Sequence, residues 1–170
     1  GLNGFLWVFV FLVNGMNVMS VVYCLMTSAL LVLSVIDWRT FEIPFGINVF
    51  LGILGIVAVV LDKGEWLNHV IGAVCVSGFL LLLYLLSKGR AIGGGDIKLM
   101  AVSGLFLGAA PTVCAMFIGL VTGGGYGAYM LISKKLDRKD HFAFGPFLAF
   151  GLAVAVFAGD RIAEWYLGML

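Results

Sequence analysis

"AIGGGDIKLM", Ala91 to Met100, stands at the head of the run that decides how this chain folds. From Ile97 to Ile132 the sequence carries a single charge, Lys98. As one helix that run would be roughly 54 Å long, too long for a bilayer core of about 30 Å. "GAAPT" around Pro111 is the natural break, because proline inside a helix forfeits a hydrogen bond. Two spans are expected here, the first of them short and opening on Asp96. A carboxylate and three successive glycines, Gly93, Gly94 and Gly95, are costly at a membrane edge and ask for a reason.

Outward from that run the pattern repeats. Val18 to Ile36 is uncharged and about 28 Å long as a helix, a match for a bilayer core. Before it, Leu2 to Val13 is apolar but short, and reads as a span cut short at its N-terminus, with Asn14, Gly15 and Asn17 as the turn between the two. Phe45 to Leu61 and His69 to Leu86 are further spans, closed by "DKGEWLN" and "SKGR". The loop "SKKLDRKDH" precedes a last span from about Ala143 to Ala158. The fold expected is all-α: one polytopic helical membrane domain over residues 1–170, with six to seven transmembrane helices.

Composition agrees. Of 170 residues, 62% are hydrophobic and only 11% charged, and the mean hydropathy is +1.14; soluble domains run near a quarter charged. The net charge of +1 says nothing about nucleic acid, but there is no basic stripe with interleaved aromatics, so no nucleic-acid partner is expected. Cys24, Cys75 and Cys114 each sit alone in an apolar run, so they read as small buried residues, with no disulfide framework and no metal site. The chain begins with glycine, and its start has no basic segment followed by a cleavage site, so no signal peptide is assigned.

Loop charges orient the bundle. Arg39, Lys88, Arg90, Lys98, Lys134, Lys135, Arg138 and Lys139 fall at one set of helix ends, Lys63 and Arg161 at the other. Basic residues gather on the cytoplasmic side, which places "DWRTFEIP", "SKGRAIGGGD" and "SKKLDRKDHFAFGP" there.

Among the acids, Asp62, Glu65, Asp160 and Glu164 fall in outer loops or the tail, and Asp137 and Asp140 in a basic loop. Glu42 has Arg39 three residues back. All read as solvated charges. Asp37 and Asp96 remain, one ending an apolar helix and one beginning another, on the same side. Two carboxylates brought to one water can share a proton, so that one takes a proton from the water while the other hydrogen-bonds the carbonyl under attack. Bare glycines would let a substrate backbone or the partner carboxylate approach closely. Two other readings stay open: Asp96 as a helix cap, or both aspartates as proton carriers in a small transporter.

"GGGDIKLM" resembles the GxGD signature of intramembrane aspartyl proteases, in the form seen in type IV prepilin peptidases. "IDWRTFEIP" resembles that family's first aspartate motif and "HFAFGPFLAFG" its "FGPFLA-G" segment. The resemblance implies a GxGD-type helical bundle in which Asp37 and Asp96 are the catalytic pair, with Gly93, Gly95 and Lys98 completing the second motif and no cofactor required. It implies leader peptides of type IV prepilins or pseudopilins as substrates, cut at the cytoplasmic face of the bacterial inner membrane. Full-length bacterial members resemble a two-part enzyme with a cytoplasmic methylating domain. No such domain is visible here, so a peptidase-only or a truncated bifunctional chain is implied. Another GxGD protease of the presenilin kind, or a transporter, is the alternative; a homo-oligomer is one option for assembly.

Further residues carry double readings. Lys98 acts on Asp96, binds an acidic substrate residue, or snorkels to the headgroups. Gly145 and Pro146 unwind the start of the last span and free backbone groups for an extended substrate, or simply begin a helix with proline in its first turn. His141 reads as a loop histidine. "GGGYGAY", Gly123 to Tyr129, reads as a close helix-packing face.

Overall fold

A computed structural model describes residues 1–89, 92–133 and 143–167; the side chains of residue 131 and of residues 159–167 are not described. Among the described residues seven helices follow one another: α1 Leu2–Asn14, α2 Val18–Thr40, α3 Phe45–Leu61, α4 Trp66–Leu86, α5 Gly94–Leu107, α6 Ala109–Ile132 and α7 Gly145–Leu167. Three of these, over Val18–Thr40, Trp66–Leu86 and Ala109–Met130, are long and apolar enough to cross a membrane by length and composition; Leu2–Asn14, Phe45–Leu61 and Gly145–Ala158 are shorter apolar helices.

Local chemistry sets the boundaries. Gly15, at φ 74°, turns the chain after α1, and Asn17 caps α2 by accepting the Ser20 N–H at 2.7 Å. The predicted break in the long run occurs, but its agent is Gly108 rather than Pro111. Gly108 adopts φ 84°, while Pro111 sits in the first turn of α6, where its missing N–H costs nothing. From α4, Asn68 Oδ1 accepts the Ala109 N–H at 3.1 Å and caps the new helix. Some boundaries differ from expectation: α2 runs on past Ile36 to Thr40, α4 starts at Trp66 rather than His69, and α7 runs on to Leu167, so positions 160 and 164 belong to a helix rather than a tail.

In an apolar solvent, helices gain little by hiding apolar surface from one another, and close packing takes over. A Cβ on Gly72 of α4 would lie 2.5 Å from the Gly108 carbonyl carbon, so the backbones of α4 and α5 meet there directly. On α6, Gly119 and Gly123 admit Leu148 and Phe144, at 2.9 and 2.7 Å from the missing Cβ atoms. Of the glycines in the predicted small-residue face only Gly123 packs; Gly124, Gly125 and Gly127 meet open space. Leu33, Leu51, Leu80, Leu99, Phe106 and Leu148 are fully buried between the helices, while Ile71, Val74, Leu82 and Phe117 point outward. Of the cysteines only Cys24 is buried; Cys75 is exposed on the outer face of α4 and Cys114 half-buried, because an apolar surround lets small residues face outward as readily as inward.

The length of α5 shapes one end of the bundle. This helix packs against α3, α4, α6 and α7, yet its 14 residues make a rod of only about 21 Å. A short helix ringed by longer ones begins below the rim, and leaves a recess over its N-terminus.

Candidate active site

That recess is a cavity of about 330 Å³. Its wall joins the end of α2, the connection Phe41–Pro44 with the first turn of α3, and the glycines that open α5; Asp37, Ile43, Asn48, Gly94 and Asp96 are among its lining. Asp37 and Asp96 are therefore brought to one space, one from the end of a helix and one from the start of another.

Each aspartate is buried and each is anchored by one glycine N–H. Asp96 stands in the first turn of α5, where its Oδ2 accepts the Gly93 N–H at 3.2 Å and its own N–H donates to the Gly93 carbonyl at 3.1 Å. Asp37 stands in the last turn of α2, where its Oδ2 accepts the Gly145 N–H at 3.0 Å from the head of α7. The two carboxylates line one cavity. Among the described residues no cation pairs with either; the one contact of that kind there brings His69 Nε2 to 3.6 Å from Asp62 and is an ion pair only when the histidine is protonated. A buried charge without a partner is expensive, and two of them facing one cavity are more so.

Next to Asp37 the backbone is strained. Phe41 closes α2 at φ 56°, a left-handed conformation rare for a residue with a side chain, and its N–H donates to the Asp37 carbonyl at 2.9 Å. From there Glu42, Ile43 and Pro44 run without helical pairing to the start of α3, and Ile43 lies against Gly95. A Cβ on Gly95 would come within 3.0 Å of the Ile43 Cβ, so that glycine holds the connection against α5.

The glycines thus divide by task. Gly95 admits Ile43. Gly93 supplies the N–H to Asp96, whose Oδ2 lies 3.2 Å from the Cβ it lacks; Gly94 has nothing within 4 Å on that side and is exposed. The glycine that makes the closest room for one of these carboxylates is elsewhere: a Cβ on Gly145 would lie 2.6 Å from Asp37 Oδ2. Gly145 and Pro146 begin α7 in ordinary fashion. The Gly145 N–H, expected to be free for a substrate, is taken by Asp37.

Lys98 lines the rim but turns from the aspartates. Its Nζ lies 6.0 Å from the Phe45 ring centroid, and it has no ion pair among the described residues. Residues two apart on a helix do not face each other, which separates it from Asp96. The predicted features at Arg90, at Lys134 to Asp140 and at His141 lie outside the described residues. No group of three His, Cys, Asp or Glu side chains is gathered among the described residues.

Asn48 is a site residue to which no motif points. It lines the cavity from the first turn of α3, is 5% exposed, and its Oδ1 has no hydrogen-bond partner. A lone asparagine in "FGINVFLGILGIVAVVL" is the available signal, since a polar residue in an otherwise bare span calls for a partner.

Similarity to known proteins bears on this geometry. Residues 24–128 match the type IV leader peptidase family, Peptidase_A24. The matched stretch holds Asp37, Asn48, the three glycines and Asp96, and ends before Gly145. Over 143 residues, 84% of this chain, 32% are identical to the prepilin leader peptidase/N-methyltransferase of Bacillus subtilis, of which the chain covers 57%. Over 90 residues, 53% of the chain, 36% are identical to the protein of the same name from Legionella pneumophila, of which 31% is covered. The counterpart from Stutzerimonas stutzeri is 29% identical over 149 residues, 84% of the chain and 51% of that protein. The chain thus spans from about a third to somewhat over half of these relatives. No solved structure matches it.

Proposed function

The chain belongs to the type IV leader peptidase family, and from that premise we propose that it is a membrane aspartyl endopeptidase. Its substrates are the leader peptides of type IV prepilins or pseudopilins, cut at the cytoplasmic face of the bacterial inner membrane. The observation that carries this reading is the convergence of two buried carboxylates, Asp37 and Asp96, on one cavity, with no cation paired to either among the described residues.

Two like charges at such a site cannot both ionise cheaply, so the pair holds one proton. The ionised carboxylate takes a proton from a water held between them. The neutral one donates a hydrogen bond to the scissile carbonyl oxygen, and the water oxygen bonds to the carbonyl carbon. The proton gained from water then passes to the leaving nitrogen as the carbon–nitrogen bond breaks, which returns the pair to its starting charge. The N–H groups of Gly145 and Gly93 each fix one carboxylate oxygen and leave the other for this work. A cavity of about 330 Å³ admits a short extended peptide and not a helix, so the substrate unwinds where it is cut. The basic loops on this side of the bundle support a cytoplasmic orientation.

Purified protein in detergent or liposomes should cleave a synthetic prepilin leader segment, and Asp37→Asn and Asp96→Asn should not. Cysteines placed at Ser87 and Ser133 should react with an impermeant reagent only from the cytoplasmic side. Cleavage by either folded Asn variant at the wild-type rate would remove the aspartate mechanism; labelling from outside would remove the orientation.

A further inference from the structure

Resting on the proposed peptidase reading, we infer that Asn48 is a substrate-binding residue whose carboxamide pairs with the main chain of the extended peptide as it lies between Asp37 and Asp96. Three observations meet there. Asn48 lines the same cavity as both aspartates. Its side chain is buried, 5% exposed, yet its Oδ1 has no hydrogen-bond partner; the buried hydroxyls of Thr27 and Thr112 both donate to carbonyls of their own chain within four residues, and Ser103 Oγ, which is likewise buried without a partner, does not line this cavity. And it stands on α3, an element that supplies neither carboxylate, so it faces the reacting pair from a third side.

The chemistry of a carboxamide narrows the ligand. Asparagine offers one acceptor and one donor side by side, the complement of a peptide unit's N–H and C=O. It carries no charge, so it adds nothing to the repulsion between the aspartates, as a third acid would. Rotation about its terminal torsion is soft, and a small turn brings both ends of the amide to a peptide in the cavity. Such pairing reads the backbone and not the side chains, which suits a site that must grip a peptide through its main chain. Leaving the oxygen unpaired in the empty enzyme is a cost that substrate binding offsets.

The test uses the whole chain in detergent, with a synthetic leader segment as substrate. Asn48→Leu keeps the shape and removes both hydrogen-bonding ends. We expect kcat/KM to fall about tenfold, mainly through KM, with a thermal midpoint equal to or above that of the wild type, because the unpaired buried oxygen is gone. A structural asparagine predicts the opposite: a lower midpoint, and activity that falls only with the folded fraction. The second arm needs no variant. Substrates in which one peptide N–H at a time, flanking the scissile bond, is replaced by an ester oxygen should include one that the wild type cleaves about tenfold less well. Asn48→Leu should not distinguish that ester from the parent peptide. If no ester position affects the wild type, or if the losses from ester and Asn48→Leu simply multiply, the inference is overturned. If the wild type cleaves, both Asn variants of the aspartates are dead and Asn48→Leu matches the wild type, this inference alone falls. A wild type that cleaves nothing takes the proposed function, and this inference with it.

Discussion

The two ends of this bundle use the same kinds of residue to opposite effect. At the end away from the cavity, Asp62 lies 3.6 Å from His69 Nε2, and His69 Nδ1 donates to the Leu105 carbonyl at 2.9 Å. Beside them Asn68 caps α6 through the Ala109 N–H. Every polar side chain in that group has a protein partner, and together they tie α4 to the junction of α5 and α6. At the cavity end, Asp37 and Asp96 accept one backbone N–H each and pair with no cation among the described residues, and the Oδ1 of Asn48 has nothing. A polar group that builds structure is normally satisfied by the structure. One that is held in place but left with bonding capacity marks where a ligand is expected. Ser103 Oγ on α5 is also buried without a partner, so it is the convergence of Asp37, Asn48 and Asp96 on one cavity, and not a single unpartnered atom, that singles out this end.

The largest effect should come from the aspartates. Asp37→Asn and Asp96→Asn should each lower cleavage by at least about 10²- to 10⁴-fold, the usual worth of a general acid or base. The double variant should be little worse than either, since residues acting as a unit are not additive. Asp62→Asn, at the satisfied end, should retain most activity. Equal losses at Asp62 would erase the distinction between the two ends.

Next in size is Gly145→Ala. The new methyl would meet Asp37 Oδ2 at 2.6 Å and its Cγ at 2.9 Å, so the carboxylate must move. A displacement of that order costs about 10²-fold when it misaligns a reacting group. Gly94→Ala, with open space around it, should cost little, although it lies only two residues before Asp96. Equal effects at the two positions would mean that Asp37 tolerates movement.

Asn68→Ala should show the converse signature. Loss of the cap to Ala109 should lower stability by about 1 kcal/mol, read as a lower thermal midpoint in detergent, while kcat/KM of the folded protein stays near wild type. If instead activity falls and the midpoint holds, the far end is coupled to the site and is not merely structural.

Much of this architecture is legible in the chain itself because membrane helices announce themselves by length and lack of charge. Polar loops on either side bound Phe45 to Leu61, and the helix has those limits. The run after Asp96 has to break because it is too long for a bilayer. Counting spans is enough to put Asp37 and Asp96 at one end of the bundle. What stays hidden in the sequence depends on contacts between distant helices. Nothing near Gly145 in sequence reveals that its N–H serves a residue 108 positions earlier. Pro111 draws attention because proline breaks helices, yet it is harmless in a first turn, and Gly108 bends the chain instead. Asn48 reads in sequence as one polar residue among many apolar ones. The burial that leaves it unpartnered is a property of the packed bundle, not of its neighbours in the chain.

The smallest expected effect is at Lys98, and it tests whether proximity in sequence has been mistaken for proximity in space. Two residues after Asp96, Lys98 invites the role of a cation that steadies the carboxylate. On a helix that spacing turns the two side chains well apart, and the ammonium lies 6.0 Å over the Phe45 ring with no acid paired to it among the described residues. A solvated cation at a rim contributes about 0–1 kcal/mol to any one interaction. Lys98→Gln should therefore change kcat/KM on a neutral leader peptide by no more than about threefold, and should leave the shape of the pH–rate profile unchanged. That profile belongs to the aspartate pair and should be bell-shaped, with two apparent pKa values that neither residue owns alone. If Lys98→Gln displaces a limb of the bell, the lysine swings toward Asp96 during turnover, and the cavity end would then carry a charge partner of the kind that distinguishes the opposite end.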